Sequence, residues 1–254
     1  MATPHGHATL EVPVDSIEAA VLADEFLGTG DRLELCDDLA SEGWTPRPEL
    51  VEEVRRRCRA GIVAMIRPRL PGARRELDVA AFLATPAVMG ASRREIEASA
   101  AAGADSVAIG LLTRDGHVDL DACGELAEHA RSMGLIVAFL RTFDLLADRA
   151  AGMRAISSLG VARVVTAGVL GWDAGMSSLE ERCGVLARDA ALATACAGGR
   201  PPVEIVPGGG VRASNAASFL KVSPHLHASC RRGGVISRDE LTALREVLGP
   251  SAIA

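Results

Sequence analysis

Eight times along this chain a short β-rich run gives way to a helical pattern, and no other feature restricts the fold as tightly. The runs are TLEVPVD (9–15), RLELCD (32–37), IVAMIRPR (62–69), SVAIGLL (106–112), LIVAFLRTFD (135–144), ARVVTAG (162–168), VEIVPG (203–208) and HLHASC (225–230). Eight β/α units in about 250 residues is the size and count of a closed (β/α)8 TIM barrel, an α/β fold. A doubly wound open sheet usually has fewer strands and ranks second. The expected organisation is a flexible leader over 1–8, with His5 and His7 in it, and one barrel domain over 9–254. Ser16 and an S-x-x-E box at Ser237 and Glu240 mark helix starts. Gly28, Gly103, Gly134, Gly160 and Gly249 read as left-handed helix ends. The irregular stretch at 70–90 follows strand three and reads as a lid over the barrel mouth.

Composition narrows the function classes. The net charge is −6 with no basic block, which argues against nucleic acid as a partner. No apolar run approaches the roughly 20 residues of a membrane span. The N-terminus lacks a signal-peptide pattern, and the six cysteines form no C-x-x-C pair, so reduced thiols in the cytoplasm are expected. Lys221, the one lysine, sits in a helical pattern, which argues against a Schiff-base aldolase.

Period-two alternation assigns the strand faces. Leu10, Val12, Val14, Leu33, Leu35 and Ile66 face the helices; Glu11, Pro13, Glu34, Cys36, Met65, Arg67 and Arg69 face the barrel axis. His225, His227 and Ser229 share one face of the last strand. With Arg141 and Asp144, these residues gather charge near the C-terminal strand ends, where active sites of this fold sit. Two readings stay open: an ion-pair cluster that fills the barrel, or a mouth where arginines hold an anion while a carboxylate moves protons. Gly208, Gly209 and Gly210 after strand seven would let backbone N–H groups approach an anion, with a tight turn as the plain alternative. The His225/His227 pair, with Glu11 or Glu34 across the barrel, could ligate a metal, with Cys36 as a soft donor. His227 could instead serve as an acid/base or as a partner of Glu11.

The stretches LEVPVDS, RLELCDDLASEGWTP, MIRPR, GLLTRDGHVDL, FLRTFD, RVVTAG, EIVPGGGVRASN and HLHAS together resemble the CutC family, named for copper homeostasis. The resemblance runs from about residue 9 to 230 and implies a cytosolic, homo-oligomeric barrel with copper as its associated metal. It features Glu11, Glu34, Cys36, Arg67, Arg69, Arg141, Asp144, Thr166, Gly208 to Gly210, Asn215, His227 and Ser229. The chain departs from the family pattern at Pro13, where a cysteine is usual, and at Leu140, where a histidine is usual. His225 replaces a usual acidic residue, and LPGARRE follows MIRPR in place of G-D-F-x-Y.

Three functions are therefore weighed. One is copper homeostasis or copper binding, with Cys36, His225 and His227 as ligands. The second is a lyase- or isomerase-type enzyme on a phosphorylated or carboxylated small molecule. In it Glu11, Glu34, His227, Arg141 and Asp144 would do the chemistry, and Arg67, Arg69, Thr166, Gly208 to Gly210, Asn215 and Ser229 would bind the anion. The third is a scaffold barrel without catalysis, which leaves the converging charges unexplained.

Overall fold

A computed structural model describes residues 8–74 and 76–249, so most of the expected leader, with His5 and His7, lies outside the described residues. Eight strands form one sheet: β1 (Thr9–Val14), β2 (Arg32–Leu35), β3 (Gly61–Met65), β4 (Ser106–Ile109), β5 (Ile136–Phe139), β6 (Arg163–Thr166), β7 (Glu204–Pro207) and β8 (His225–His227). Their order is β7-β6-β5-β4-β3-β2-β1-β8, and every pairing is parallel. Helices α1 (Ile17–Asp24), α2 (Pro48–Arg57), α3 (Pro86–Ala101), α4 (Leu120–Ser132), α5 (Arg149–Ser158), α6 (Leu179–Cys196) and α7 (Ala213–Phe219) fill the seven crossovers, and α8 (Arg238–Leu248) follows β8. The result is a near-closed (β/α)8 barrel, as the sequence period requires.

The seam lies between β7 and β8, which pair through a side chain rather than a ladder. Ser223 is buried there; its hydroxyl donates to the Ile205 carbonyl at 2.5 Å and accepts from the His225 N–H at 3.1 Å. Ser223→Ala leaves both backbone groups without that partner. We expect a loss of about 1–2 kcal/mol in urea denaturation; an unchanged midpoint would show that the seam does not depend on the hydroxyl.

The alternation sorts apolar side chains into two layers. Leu10, Val12, Val14, Leu33, Leu35 and Ile62 are fully buried in the large core between strands and helices. Cys36, Val63, Met65, Ala108, Ala138 and Leu140 form a smaller cluster inside the barrel. Among the remaining inner positions Glu11, Arg32, Glu34 and Arg163 carry charge, and that is where the site lies.

Local expectations need four corrections. α3 begins at Pro86, inside the stretch read as irregular, because Thr85 caps it by accepting from the Val88 N–H and Pro86 suits the first turn. Strand five stops at Phe139, and Arg141–Leu145 forms a 3-10 turn. Gly28 does not end a helix, since α1 stops at Asp24; its N–H donates to Asp31 at 2.8 Å. Ser237 caps α8, but Glu240 does not reach back to it; its carboxylate accepts from the Ala213 N–H and pairs with Arg232.

Candidate active site at the barrel mouth

β1, β2 and β8 are neighbours in the sheet, and their inward residues meet at the floor of the mouth. Register sets Glu11 of β1 beside both Arg32 of β2 and His227 of β8. The Glu11 Oε1 and His227 Nδ1 lie 3.0 Å apart, and Oε2 accepts from Arg32 Nε at 3.1 Å. Arg163 of β6 approaches the same oxygen at 3.8 Å. Burial alone would raise the Glu11 carboxyl, but the His227 hydrogen bond and the Arg32 and Arg163 charges bring it down to about 2. Glu11 is therefore a fixed anion. An ionised carboxylate only accepts, so Nδ1 carries the hydrogen and Nε2 is the nitrogen turned to the cavity side.

His227 Nε2 faces Glu34, 3.9 Å from Oε2. Glu34 is 3% exposed, yet its carboxyl makes no hydrogen bond among the described residues and lines an open-topped cavity. Burial pushes it up to about 7; His227 opposes that rise and Glu11 adds to it. His227 moves upward as well: burial opposes its charge, but the Glu11 bond and both carboxylates outweigh that cost. Near neutrality the pair can hold a proton on the imidazole and release or accept one at Glu34. This is the pairing that proton-transfer chemistry uses.

The cavity wall is cationic and aromatic. Arg67 lies between Trp44 and Phe82, its guanidinium carbon 4.0 and 5.2 Å from the two ring centres. Its Nη atoms donate to the carbonyls of Ser41, Gly43 and Arg74, and its buried Nε has no partner among the described residues. Arg141 stacks on Trp172 at 4.5 Å and also lines the cavity.

The other expected site residues are placed differently. Arg69 sits on the rim, half-exposed, paired with Asp37 and Asp38, and does not line the cavity. Asp144 is fully buried and accepts four bonds: from Thr166 Oγ1, Arg149, the Ala167 N–H and Arg141. With no free lone pair aimed outward, Asp144 positions Arg141 rather than moving protons. The 3-10 turn makes this possible, because residues three apart eclipse there. Thr166 is buried in the same network, so its hydroxyl does not reach the mouth. Asn215 closes its own loop, accepting from the Arg212 N–H and donating to the Gly210 carbonyl.

Backbone geometry explains the three glycines. Gly209 and Gly210 have φ of 66° and 79°, and a Cβ on Gly209 would lie 2.8 Å from Ala167 Cβ. The Gly208 N–H donates to the Thr166 carbonyl, so it is not available to a ligand. Gly209, Gly210 and Ser229 line a wider cleft that opens above the cavity and shares Arg141 and His227 with it. Lys221 lies exposed in the turn before β8, at the opposite end of the barrel.

Glu11, Glu34 and His227 also offer ligand atoms within 4.8 Å of one another. Cys36 and His225 do not join them. The Cys36 Sγ faces the Val14 carbonyl at 3.7 Å, and burial with nearby Glu34 holds its thiol well above its ordinary range. His225 Nδ1 bonds the Thr9 hydroxyl at 2.8 Å. Sequence reasoning missed Arg32, Arg163, Arg149 and Arg182; parity could have found the first two, since positions 32, 34 and 36 share a face, as do 163, 165 and 167.

A family model for the CutC family matches residues 8–231. This chain belongs to the CutC family. A CutC family protein of Histophilus somni is 31% identical over 224 residues, spanning 87% of this chain and 82% of that protein. The human copper homeostasis protein cutC homolog is 32% identical over 224 residues, spanning 87% of this chain and 73% of the relative. The crystal structure of a CutC protein from Streptococcus agalactiae superposes with a TM-score of 0.68 at 23% identity, covering 87% of this chain and 98% of that one, and shows the shared fold.

The family name raises copper, and the donor set answers for one oxidation state. Cuprous ion is held by soft thiolate and thioether sulfur. The clustered ligands here are two carboxylates and an imidazole, the inward place on β1 holds Pro13, and Cys36 is kept as a thiol. The cluster itself offers a cuprous ion no sulfur, and Met65 supplies a thioether on the wall of the same cavity.

Proposed function

We propose that this protein serves copper homeostasis, the role in the name of its human relative, through acid/base chemistry on an anionic small molecule. Membership of the CutC family over residues 8–231 supports the first part. One observation supports the second: a buried Glu34 carboxyl with no hydrogen bond among the described residues faces the same cavity as an Arg67 guanidinium that forms no ion pair among them. In this reading Glu34 takes a proton from the substrate and His227 returns one elsewhere on it, an isomerase- or lyase-type step. Glu11 holds the imidazole in place, and Arg67 and Arg141 hold negative charge. The protein would work in the cytoplasm, as a homo-oligomer.

Complementation separates this from copper carriage by thiolate. In a copper-sensitive host rescued by the parent protein, Cys36→Ser should still rescue and Glu34→Gln should not. Rescue by Glu34→Gln together with failure of Cys36→Ser would overturn the acid/base reading.

A further inference from the structure

Arg182 of α6 runs under the loop that follows β7. Its Nε donates to the Ala167 carbonyl and its Nη2 to the Gly208 and Gly209 carbonyls, each at 2.7 Å. It is 6% exposed and, among the described residues, has no carboxylate partner; it lines the open cleft beside Arg141, Gly209 and Gly210. Carbonyl oxygens satisfy N–H donors but do not cancel the charge of a buried guanidinium. Arg67 is in the same condition: among the described residues it bonds only carbonyls, and its buried Nε has no partner.

The two arginines stand on opposite walls. Arg67 follows β3 and Arg182 serves the loop after β7, four strands apart in a ring of eight. Glu34 of β2 and His227 of β8 lie between them on the floor, and Arg141 and His227 border both the inner cavity and the outer cleft. Carboxylates are present too: Glu42 borders both the inner cavity and the outer cleft, and Asp173 borders the cleft. Glu42 is exposed and forms no ion pair with Arg67, so its charge offsets only part of that guanidinium's cost, and Asp173 accepts from the Gly175 N–H in its own turn. At the start of α7 the Arg212 N–H is taken by Asn215 and the Ala213 N–H by Glu240.

We propose that the ligand of this mouth is anionic at both ends, with an uncharged middle. One end meets Arg67, the other meets Arg182 and Arg141, and the middle lies over Glu34 and His227. A single carboxylate cannot neutralise two cations on opposite walls, whereas a short dicarboxylate or a phosphorylated carboxylic acid can. The inference rests on reading the mouth as an acid/base centre for an anion.

Isothermal titration of the full chain at pH 7 tests it, with glutarate, adipate and 2-phosphoglycolate set against butyrate and inorganic phosphate. At least one doubly anionic probe should bind about tenfold or more tighter than butyrate, since a charge-assisted hydrogen bond contributes roughly that factor. A preference for 2-phosphoglycolate over both dicarboxylates would identify the far group as phosphate. Arg182→Met should reduce the best probe to the affinity of butyrate, and Arg182→Lys should keep part of the gain. Equal binding of mono- and dianions by the parent protein would overturn the inference, and that comparison needs no variant to fold. If complementation still fails only for Glu34→Gln, the acid/base reading survives such a result. If it does not, both fall.

Discussion

At pH 8 the Glu34→Gln variant should be more stable than the parent by about 3 kcal/mol, although it removes the group that does the chemistry. Burial holds the Glu34 carboxyl up at about 7, against an ordinary 4.5. A carboxyl raised in the folded state binds its proton more tightly there than in the unfolded chain. Stability therefore falls as pH rises from 4.5 toward 7, and the full cost is present above that. About 2.5 pH units at 1.36 kcal/mol each gives the magnitude. At 3% exposure, solvent does little to screen it. The amide has the same shape and no charge, so the variant should lose this slope and match the parent near pH 4. His227 adds a second slope of the same direction, since its raised value means stability present below 6.5 and lost as pH climbs through the folded value. Urea denaturation at pH 4, 6 and 8 measures both. A variant no more stable than the parent at pH 8 would mean that Glu34 is settled in its environment rather than held there at a cost. A residue that weakens the fold at working pH is the kind that active sites retain.

How much of this was legible before the structure follows from the physics of each element. The barrel was legible because side chains two apart share a face, which makes LEV of β1 and LEL of β2 read as apolar-out and acidic-in. The same parity brought Glu11, Glu34 and His227 to one interior. It failed beyond the strand ends. Arg69 keeps the inward parity of Arg67, but β3 stops at Met65, and past it the chain turns to the acidic pair Asp37 and Asp38. Asp144 looked like a free acid because its four donors come from three separate elements of the chain. Arg182 was invisible for the same reason: its role depends on α6 crossing under a loop 26 residues further on. The family resemblance listed residues of both kinds together, and only their bonds separate those that face the cavity, such as Glu34, from those that hold others, such as Asp144.

Glu11→Leu should destabilise the protein by about 3–5 kcal/mol, the usual result of leaving buried charges without their partner. Three cationic groups lean on that carboxylate: Arg32 Nε at 3.1 Å, His227 Nδ1 at 3.0 Å and Arg163 Nη1 at 3.8 Å. Glu11 is 1% exposed, and water does not replace it. Burial already lowers Arg163, with Arg32 adding to the shift, so those two guanidiniums repel each other as soon as the anion between them is gone. The sign with pH is opposite to that of Glu34. Glu11 is brought from 4.5 down to about 2, so its contribution is complete above 4.5 and is lost as pH falls through 2. In acid titrations followed by circular dichroism, the parent should therefore weaken below pH 4.5. Glu11→Gln, which keeps the shape but not the charge, should begin weaker and lose less over the same range. Adding Arg163→Met to Glu11→Leu should recover part of the loss, because the double variant removes one of the stranded cations. Strict additivity of the two changes would show that Arg163 and Glu11 do not act on each other. In that case something other than this pair must keep Glu11 ionised and the His227 Nε2 free to face Glu34.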